Sequence, residues 1–311
     1  MKIVDCFIWL APHEKELLYL KFLLESPCVD EWVGVENHFT YRGDYKGPSL
    51  QQVVDGDPRF APFRDRLTVI SLEAPLCPPE EARRWQGVVD PPVFAEAEWR
   101  LRDAPLAHLL ANYQDEDRVW VSDVDEMIDY SDPWRRDRLH EAFTRHAGEP
   151  LQFDRIRYGY DFHNRWFREK RDMITPAFTV GNLCRGEARL RDKKWVGRPV
   201  DIEDDRPLIF EYSFCFSYEG VLAKFDSSLH THWTREKIDQ SLRCNHWPMT
   251  SYQEVSRNCR WHWLEFVELT EKNSPTHVRE NLDALRTHLV PDDYRENRLR
   301  EYGYAPHFSP T

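Results

Sequence analysis

The sequence has little glycine, no long apolar run and no excess of positive charge. Only 12 of its 311 residues are glycine, which excludes a fibrous or low-complexity chain. No apolar run approaches the ~20 residues that a membrane-spanning helix requires. Lys and Arg total 42 against 54 Asp and Glu, for a net charge of −12, whereas nucleic-acid-binding proteins usually carry a basic face. Nucleic acid is therefore a disfavoured partner, although the Arg135–Arg138 run could form a local basic patch.

The sequence also has no regular cysteine framework and no segment typical of a signal peptide. Its seven cysteines are an odd number without disulfide-like spacing, which suits a reducing compartment. The apolar stretch Met1–Leu10 is short and is interrupted by Asp5. We therefore expect a cytoplasmic protein with free thiols and no membrane segment.

Hydrophobic and aromatic residues are abundant enough for a large folded core. The chain is 41% hydrophobic and contains 12 Trp, 13 Tyr and 17 Phe. Such a length and composition suit one large domain. Aromatic rings pack against the apolar faces of sugars, but they fill protein cores equally well, so both interpretations stay open.

The first ~125 residues alternate between predicted strands and helices, which is the pattern of an α/β layered fold. Pro105 should break the second helix, and glycines 43 and 47 mark a loop over Thr40–Pro48. A proline-rich stretch, Cys77–Pro92, is predicted to be irregular. The predicted strands are Lys2–Leu10, Glu31–Glu36, Leu67–Leu72 and Arg118–Ser122, and the predicted helices are His13–Ser26 and Glu96–Tyr113.

Fewer elements can be predicted in the second half of the chain. Leu151–Phe162 is expected to be extended, and Arg206–Phe216 is strand-like. Ser274–Leu289 is predicted to be one helix capped by Ser274, with Pro275 in its first turn and an apolar stripe along one face. We predict a single domain over residues 1–270 and a helical extension over residues 271–311.

The strongest chemical signal is a pair of carboxylates directly after a hydrophobic strand. Asp123 and Asp125 follow Val119-Trp120-Val121-Ser122 and precede Glu126. Ligands in α/β sheets bind at the carboxyl ends of strands. Two such carboxylates can hold a hard divalent cation, which makes a diphosphate a better leaving group by neutralising its developing charge. An acidic surface loop is the simpler interpretation of the same residues.

A second group of polar residues lies near the N-terminus. Glu14 begins the first helix, Glu36 ends the second strand, and Lys46 belongs to the following glycine-containing turn. Taken simply, these residues form an amphipathic helix, a strand and a surface turn. In a functional interpretation, Glu36 and Lys46 lie beyond a strand end, where they could bind a nucleotide or a sugar.

Taken in order, these segments resemble the family 17 glycosyltransferases, which include the β-1,4-mannosyl-glycoprotein N-acetylglucosaminyltransferases. The resemblance spans roughly residues 1–235 and includes an aromatic strand at Phe153–Phe162. In the first half, the matching residues are Glu14, Leu18, Val29, Asp30, Val33, Glu36, Thr40, Gly43, Lys46, Glu98, Arg102 and Ser122–Glu126. In the second half, they are Ser213, Phe214, Cys215, Phe216, Glu219, Gly220 and Lys224.

The resemblance implies a GT-A-type fold, with a mixed central sheet flanked by helices, and an inverting transfer from a UDP-sugar to a hydroxyl of a glycan or another acceptor. UDP-N-acetylglucosamine is the expected donor. Mn²⁺ or Mg²⁺ would bind to Asp125, with Asp123 on the metal or the ribose, and Glu36, Lys46 and Arg102 would help to bind the donor. Residues 1–130 would hold nucleotide and metal, and residues 131–270 would shape the acceptor side.

An inverting transferase needs a base that takes the proton of the acceptor hydroxyl. Glu211 follows the apolar run Leu208–Phe210 and occupies a position where the family has histidine, so it is our candidate, with Asp205 next. Glu203 and Asp204 are further competitors, and a surface salt bridge is the simpler role for each.

Two groups of residues near the C-terminus could bind metal. Many metal-using transferases of this general fold complete the metal shell with a C-terminal histidine, so His230 or His232 could contribute, and we select His232. Cys244, His246, Cys259 and His262 could also form a zinc site, although the neighbouring tryptophans favour a packed segment.

Two other functions fit the same residues. One is a phage-type soluble glycosyltransferase that modifies bases in DNA, which the acidic net charge disfavours. The other is a non-catalytic sugar-binding protein of the same fold, which the pair Asp123 and Asp125 disfavours.

Overall fold

The structure is a computed structural model. It describes residues 1–41, 43–84, 92–166, 173–184, 197–200, 206–227, 234–243 and 264–290.

Four parallel strands form the first part of a mixed sheet. These are β1 (Ile3–Trp9), β2 (Glu31–Asn37), β3 (Leu67–Leu72) and β4 (Arg118–Asp123), in the spatial order β3-β2-β1-β4. All seven residues of β1 are buried, as expected for a central parallel strand covered on both faces.

The sheet continues beyond β4 with antiparallel pairings and then divides. β8 pairs antiparallel with β4, and β6 pairs antiparallel with β8 and parallel with β10. β5 pairs antiparallel with β10, so the short turn between β4 and β5 connects the two parts of the sheet. The bounds are β5 Glu126–Ile128, β6 Leu151–Gly159, β7 Asn164–Trp166, β8 Met173–Thr179, β9 Arg198–Pro199, β10 Ile209–Ser213 and β11 Leu264–Phe266.

Helices cover both faces of the sheet. Alternate residues of β1 face opposite sides: Phe7 packs in the cluster that contains helix α1, and Cys6 packs in the cluster that contains α5. The α-helices are α1 Lys15–Glu25, α2 Leu50–Gly56, α3 Pro79–Arg84, α4 Pro92–Asp103, α5 Leu106–Asn112, α6 Pro133–Arg145, α7 Val180–Cys184, α8 Tyr218–Ser227, α9 Arg235–Arg243, α10 Thr276–Glu280 and α11 Leu282–Arg286. Two 3-10 helices are Pro12–Glu14 and Pro58–Arg66.

A buried lysine joins α1 to the end of β4. Lys21 Nζ lies 2.6 Å from a carboxylate oxygen of Asp5 and 2.9 Å from one of Glu25. It also donates to Ser122 Oγ at 3.1 Å and to the Glu126 carbonyl at 2.7 Å. Burial alone would lower the pKa of Lys21, but the two carboxylates raise it, so the lysine stays charged. The Lys21 ammonium, which is neutralised and hydrogen-bonded, therefore holds the turn after β4 in place.

Most predicted elements of the first half are confirmed. Leu67–Leu72 has the predicted bounds, and Pro105 separates α4 from α5. The predicted first helix begins with a separate 3-10 turn at Pro12–Glu14. The run Arg135–Arg138 is not a basic patch throughout, because Arg135 is buried against Asp129 and Asp132.

Two element predictions were wrong. The stretch Cys77–Pro92 is not wholly irregular, because it contains α3. Ser274–Leu289 forms two short helices that meet at Asn281, and Pro275 is the N-cap. Ser274 is buried and its hydroxyl faces the Pro275 carbonyl, so it cannot cap the helix.

Among the helices that the structure describes, none combines the length and the apolarity needed to cross a bilayer. Cys6, Cys28, Cys77 and Cys215 are free thiols.

Candidate functional site

The candidate site lies where three parallel strands end. Because β1, β2 and β4 run in the same direction, Trp9, Glu36 and Asp123 reach the same edge of the sheet. The loops that follow these strands supply the remaining side chains.

The turn between β4 and β5 presents the predicted acidic pair. Val124 is buried in the main hydrophobic core and anchors the turn. Asp125 is also buried, whereas the Asp123 side chain is 37% exposed. Glu126 closes the turn, since its carboxylate accepts a hydrogen bond from the Asp123 N–H at 3.1 Å.

Asp123 is paired with an arginine of α4. Arg102 Nη2 lies 3.1 Å and 3.4 Å from the two carboxylate oxygens of Asp123, and it also donates to Glu98 at 2.6 Å. Residues 98 and 102 are one helical turn apart, so Glu98 orients the guanidinium towards the turn. The structure thus brings together Arg102 and Asp123, two residues to which the family resemblance assigned roles in donor or metal binding.

Asp125 is paired with a lysine from the second half of the chain. Lys224 Nζ on α8 donates to Asp125 Oδ2 at 2.6 Å, and Ser213 Oγ lies 3.5 Å from the same oxygen. Burial raises the pKa of Asp125, and Lys224 only partly offsets that rise. The site therefore needs a positive charge beside Asp125 to keep it ionised.

Glu14 lies on the other side of the Lys224 ammonium. The distance between Lys224 Nζ and Glu14 Oε1 is 3.6 Å, and Glu14 Oε2 accepts from the Leu10 N–H at 2.8 Å. Burial raises the pKa of Glu14 to about 7, against the opposing effect of Lys224.

His13 contributes a neutral imidazole to this region. Its ring meets Phe216 edge to face at 5.0 Å between centroids, and both ring nitrogens are buried with no hydrogen-bond partner in the described part of the chain. Burial, together with the charges of Lys224 and Lys46, lowers the pKa of His13 to about 3.

Lys46 lines a small pocket beside the ends of β1 and β2. Its loop is shaped by positive φ at glycines 43 and 47, and its backbone N–H donates to the His38 carbonyl at 3.0 Å. The pocket has a volume of about 120 Å³. Its lining residues are Trp9, Glu36, Asn37, His38, Tyr45, Lys46, Gly47, Pro48, Ser49 and Gln52.

The ammonium of Lys46 is the unusual group of this pocket. No hydrogen bond or ion pair joins it to any residue of the described ranges. Burial lowers the pKa of Lys46 to about 8, although Glu14 and Glu36 act to raise it. A largely buried cation without a partner is costly unless a ligand neutralises it, so the pocket suits an anion.

Glu36 reaches the same pocket, but both of its carboxylate oxygens have protein partners. Oε2 accepts from the Leu50 N–H and Oε1 from Ser71 Oγ, each at 2.7 Å. Glu36 therefore fixes the start of α2 beside the pocket, and a ligand would have to displace these bonds to reach it.

Glu211 on β10 lies near the acidic pair within a group of arginines. Its Oε2 is 2.7 Å from Arg155 and 2.9 Å from Arg157, and its Oε1 accepts from Ser213 Oγ at 2.5 Å. Ser213 lies between Glu211 and Asp125, so the two carboxylates are neighbours.

Several predicted site residues lie outside the described residues. These are Glu203, Asp204, Asp205, His230, His232, Cys244, His246, Cys259 and His262.

Three residues at or beneath the site, Lys224, Glu14 and Lys21, had no role predicted from the sequence. Lys224 and Glu14 belong to segments that carry the family resemblance, but a motif alone does not show that they meet. Lys21 could have been noticed, because it interrupts the apolar face of a helix whose other inward residues are mostly leucines.

The carboxylates of the turn fit a divalent cation that binds together with phosphate. Asp123 and Asp125 offer two hard carboxylates, and each attracts a cationic side chain in this structure. The described residues contain no cluster of three or more His, Cys, Asp or Glu arranged for a metal. Mg²⁺ is commonly bound by one or two carboxylates, with substrate phosphates and water completing its shell.

Comparison with known proteins adds no relative: no protein-family model and no curated protein matches this chain.

Proposed function

We propose that this chain is a metal-dependent glycosyltransferase of the GT-A type that transfers a sugar from a UDP-sugar to an acceptor hydroxyl. The observation that carries the proposal is that carboxylates and a lysine ammonium lie at the same edge of the sheet, where the parallel strands end. Asp123 and Asp125 offer carboxylates to a divalent cation, and Lys46 offers to an anion an ammonium that has no partner among the described residues. A nucleoside diphosphate that carries a divalent cation needs carboxylates for the cation and a positive group for its phosphates.

The sheet supports this type of fold. The parallel order β3-β2-β1-β4 continues into antiparallel β8, with helices on both faces. The acidic turn follows β4 directly, at the edge where α/β sheets bind ligands.

Each side chain has a role in the proposed reaction. Asp123 and Asp125 would hold the cation, which when bound neutralises charge on the leaving diphosphate. Lys46 would bind a phosphate oxygen, and Arg102 keeps Asp123 aligned. The acceptor oxygen forms the new bond to the anomeric carbon, and the bond to the diphosphate breaks and releases UDP with its electron pair. The hydroxyl proton passes to a base.

The choice of N-acetylglucosamine as the sugar and of Glu211 as the base rests on the family resemblance. Glu211 is buried next to Asp125, with its oxygens directed to Ser213 and two arginines. To act as the base, it would have to exchange the Ser213 hydroxyl for that of the acceptor.

The proposal is tested by thermal-shift measurements with a panel of nucleotide-sugars, with and without Mn²⁺. A ligand at a hundredfold excess over its dissociation constant stabilises a protein by about 2.7 kcal/mol. We expect a UDP-sugar to raise the melting temperature only when Mn²⁺ is present. Because no acceptor is added, water takes the place of the acceptor hydroxyl, and slow hydrolysis of the donor to UDP and free sugar should accompany binding.

Two variants make the test specific. Asp125→Asn should fold but lose the Mn²⁺-dependent shift and UDP release, because one metal ligand loses its charge. Asp137→Asn, on an exposed position of α6, is the matched control and should behave like the wild type. Full UDP release in the presence of a chelator would overturn the metal-dependent reaction, and binding without release would favour a non-catalytic sugar-binding protein.

A further inference from the structure

We infer that Lys224 is a built-in counter-cation that occupies Asp125 until a divalent cation arrives with its nucleotide, and that its ammonium then binds the diphosphate. The inference rests on the proposed function. It assigns a role to a residue that neither the Asp-x-Asp pattern nor the pocket identifies.

The contacts of Lys224 place a second carboxylate beside its ammonium. Nζ lies 2.6 Å from Asp125 Oδ2 and 3.6 Å from Glu14 Oε1, so a second carboxylate is within reach of the flexible side chain. Two aromatic rings, Phe214 and Phe216, lie 5.8 Å and 5.5 Å from the same nitrogen and limit its other directions. Lys224 can therefore leave Asp125 without losing every negative partner.

Lys224 and a metal ion would compete for one carboxylate. A divalent cation bound to Asp125 Oδ2 would lie close to the ammonium, and the two positive charges would repel each other across a poorly solvated site. The side chain of Lys224 is only 12% exposed, so water screens this repulsion weakly. Metal binding alone is therefore opposed.

A diphosphate removes this conflict. Its negative oxygens can accept the displaced ammonium while they also coordinate the cation, so both positive charges gain a partner. The cation and the nucleotide should consequently bind cooperatively, and Lys224 should be the source of much of that cooperativity.

Binding of Mn²⁺, measured from the free Mn²⁺ signal in electron paramagnetic resonance, tests the inference without using activity. We expect Lys224→Gln to bind Mn²⁺ about tenfold more tightly than the wild type when no nucleotide is present, because the competing charge is gone. With saturating Mn²⁺, the same variant should bind UDP about tenfold more weakly.

Three further variants define the outcomes. Lys224→Arg keeps the charge and should retain weak binding of Mn²⁺ alone, so it guards against an effect of altered packing in Lys224→Gln. Lys272→Gln, at an exposed position, should match the wild type, and Asp125→Asn should weaken Mn²⁺ binding. Equal Mn²⁺ affinity in the wild type and Lys224→Gln, with Asp125→Asn impaired, would overturn the role of Lys224 and leave the proposed function standing. No Mn²⁺ binding by any variant, even with UDP, would overturn both.

Discussion

Lys46 and Lys224 are both largely buried lysines of the candidate site, but their surroundings shift their pKa values in opposite directions. Burial would lower the pKa of each. For Lys224 the adjacent Asp125 and Glu14 reverse the effect and raise it. For Lys46, whose ammonium has no partner in the described residues, burial lowers the pKa to about 8. The first lysine balances protein charge, and the second is open to a ligand.

The lowered pKa of Lys46 predicts a pH dependence with a definite sign. Between about pH 8 and 10.5 the folded state has lost a proton that the unfolded state still holds, so this residue adds stability as the pH rises through that window. Binding of UDP should change in the opposite direction and weaken about tenfold per pH unit above 8, because the neutral amine no longer attracts phosphate.

Titration calorimetry with UDP at several pH values, together with urea unfolding, measures both effects. Lys46→Met should bind UDP weakly at every pH, and its stability should lack the rise between pH 8 and 10.5. If Lys46→Met has the same pH profile as the wild type, Lys46 does not bind the phosphate.

The variant Glu211→Gln tests the proposed base. Its side chain is almost isosteric, so donor binding should persist, whereas transfer should fall by about two to four orders of magnitude, the usual contribution of general acid–base catalysis. UDP binding and sugar transfer would be measured on the same preparation. Transfer close to the wild-type rate would leave Glu211 the role of orienting Arg155 and Arg157.

The residues of the site could be predicted to different extents. Asp123 and Asp125 could be predicted because a hydrophobic strand ends directly before them, and ligands often bind at strand ends. The side chains that pair with these two aspartates could not be predicted, because Arg102 and Lys224 reach them from distant parts of the sequence. Glu36 shows a further limit: the sequence placed it at a strand end, but it did not show that the carboxylate accepts a hydrogen bond from the first N–H of α2.

At the scale of elements, α2 packs unusually close to β2. A Cβ on Gly34 would lie 2.3 Å from Leu50 Cδ2 and 3.0 Å from Phe7 Cζ, and Leu50 is the first residue of α2. This close approach allows the Leu50 N–H to reach Glu36, so it shapes one wall of the Lys46 pocket.

Gly34→Ala should therefore lower the free energy of unfolding by about 1–3 kcal/mol, the usual cost of overpacking a core. Gly56→Ala is the matched control at the other end of α2, where an added Cβ would meet nothing within 4 Å. The control should be neutral or stabilising by up to about 1 kcal/mol. Urea unfolding of both variants gives the comparison, and equal stability of the two would show that α2 moves away from β2 without cost.

Local signals predicted elements well where they agreed with the packing. The strand Leu67–Leu72 could be predicted because its residues are strongly strand-forming. The break at Pro105 could be predicted because proline cannot continue a helix. The apolar stripe of Ser274–Leu289 was misleading. The same spacing is kept by two short helices, and the break at Asn281 has no strong signal in the sequence.

At the scale of the molecule, one sheet passes through both halves that the sequence analysis distinguished. β4 pairs with β8, and β5, which follows it, pairs with β10. The acidic turn is thus held by strands from both sides of residue 130, and neither half contains the site alone. The layered α/β class followed from the alternation of elements, but these pairings between distant strands did not.

The continuous sheet predicts that the described core unfolds cooperatively. Far-ultraviolet circular dichroism reports secondary structure, and tryptophan fluorescence includes the signal of the buried Trp9, Trp32 and Trp120. The two probes should give coincident urea transitions. A fragment of residues 1–130 should not show a cooperative transition. Two separated transitions in the full chain would mean that the halves fold independently.

The pairing of β1 with β4 also has a consequence for the biosynthesis of this chain. The Lys2 N–H bonds to the carboxylate of Asp117, a contact between residues separated by 115 positions. At about 5–20 residues per second, the ribosome needs roughly 6–23 s to add the segment between them. During that time the apolar strand β1 lacks its partner β4 on one of its two edges. A nascent chain that stalls before residue 224 would carry both aspartates of the site, but not the lysine that neutralises Asp125.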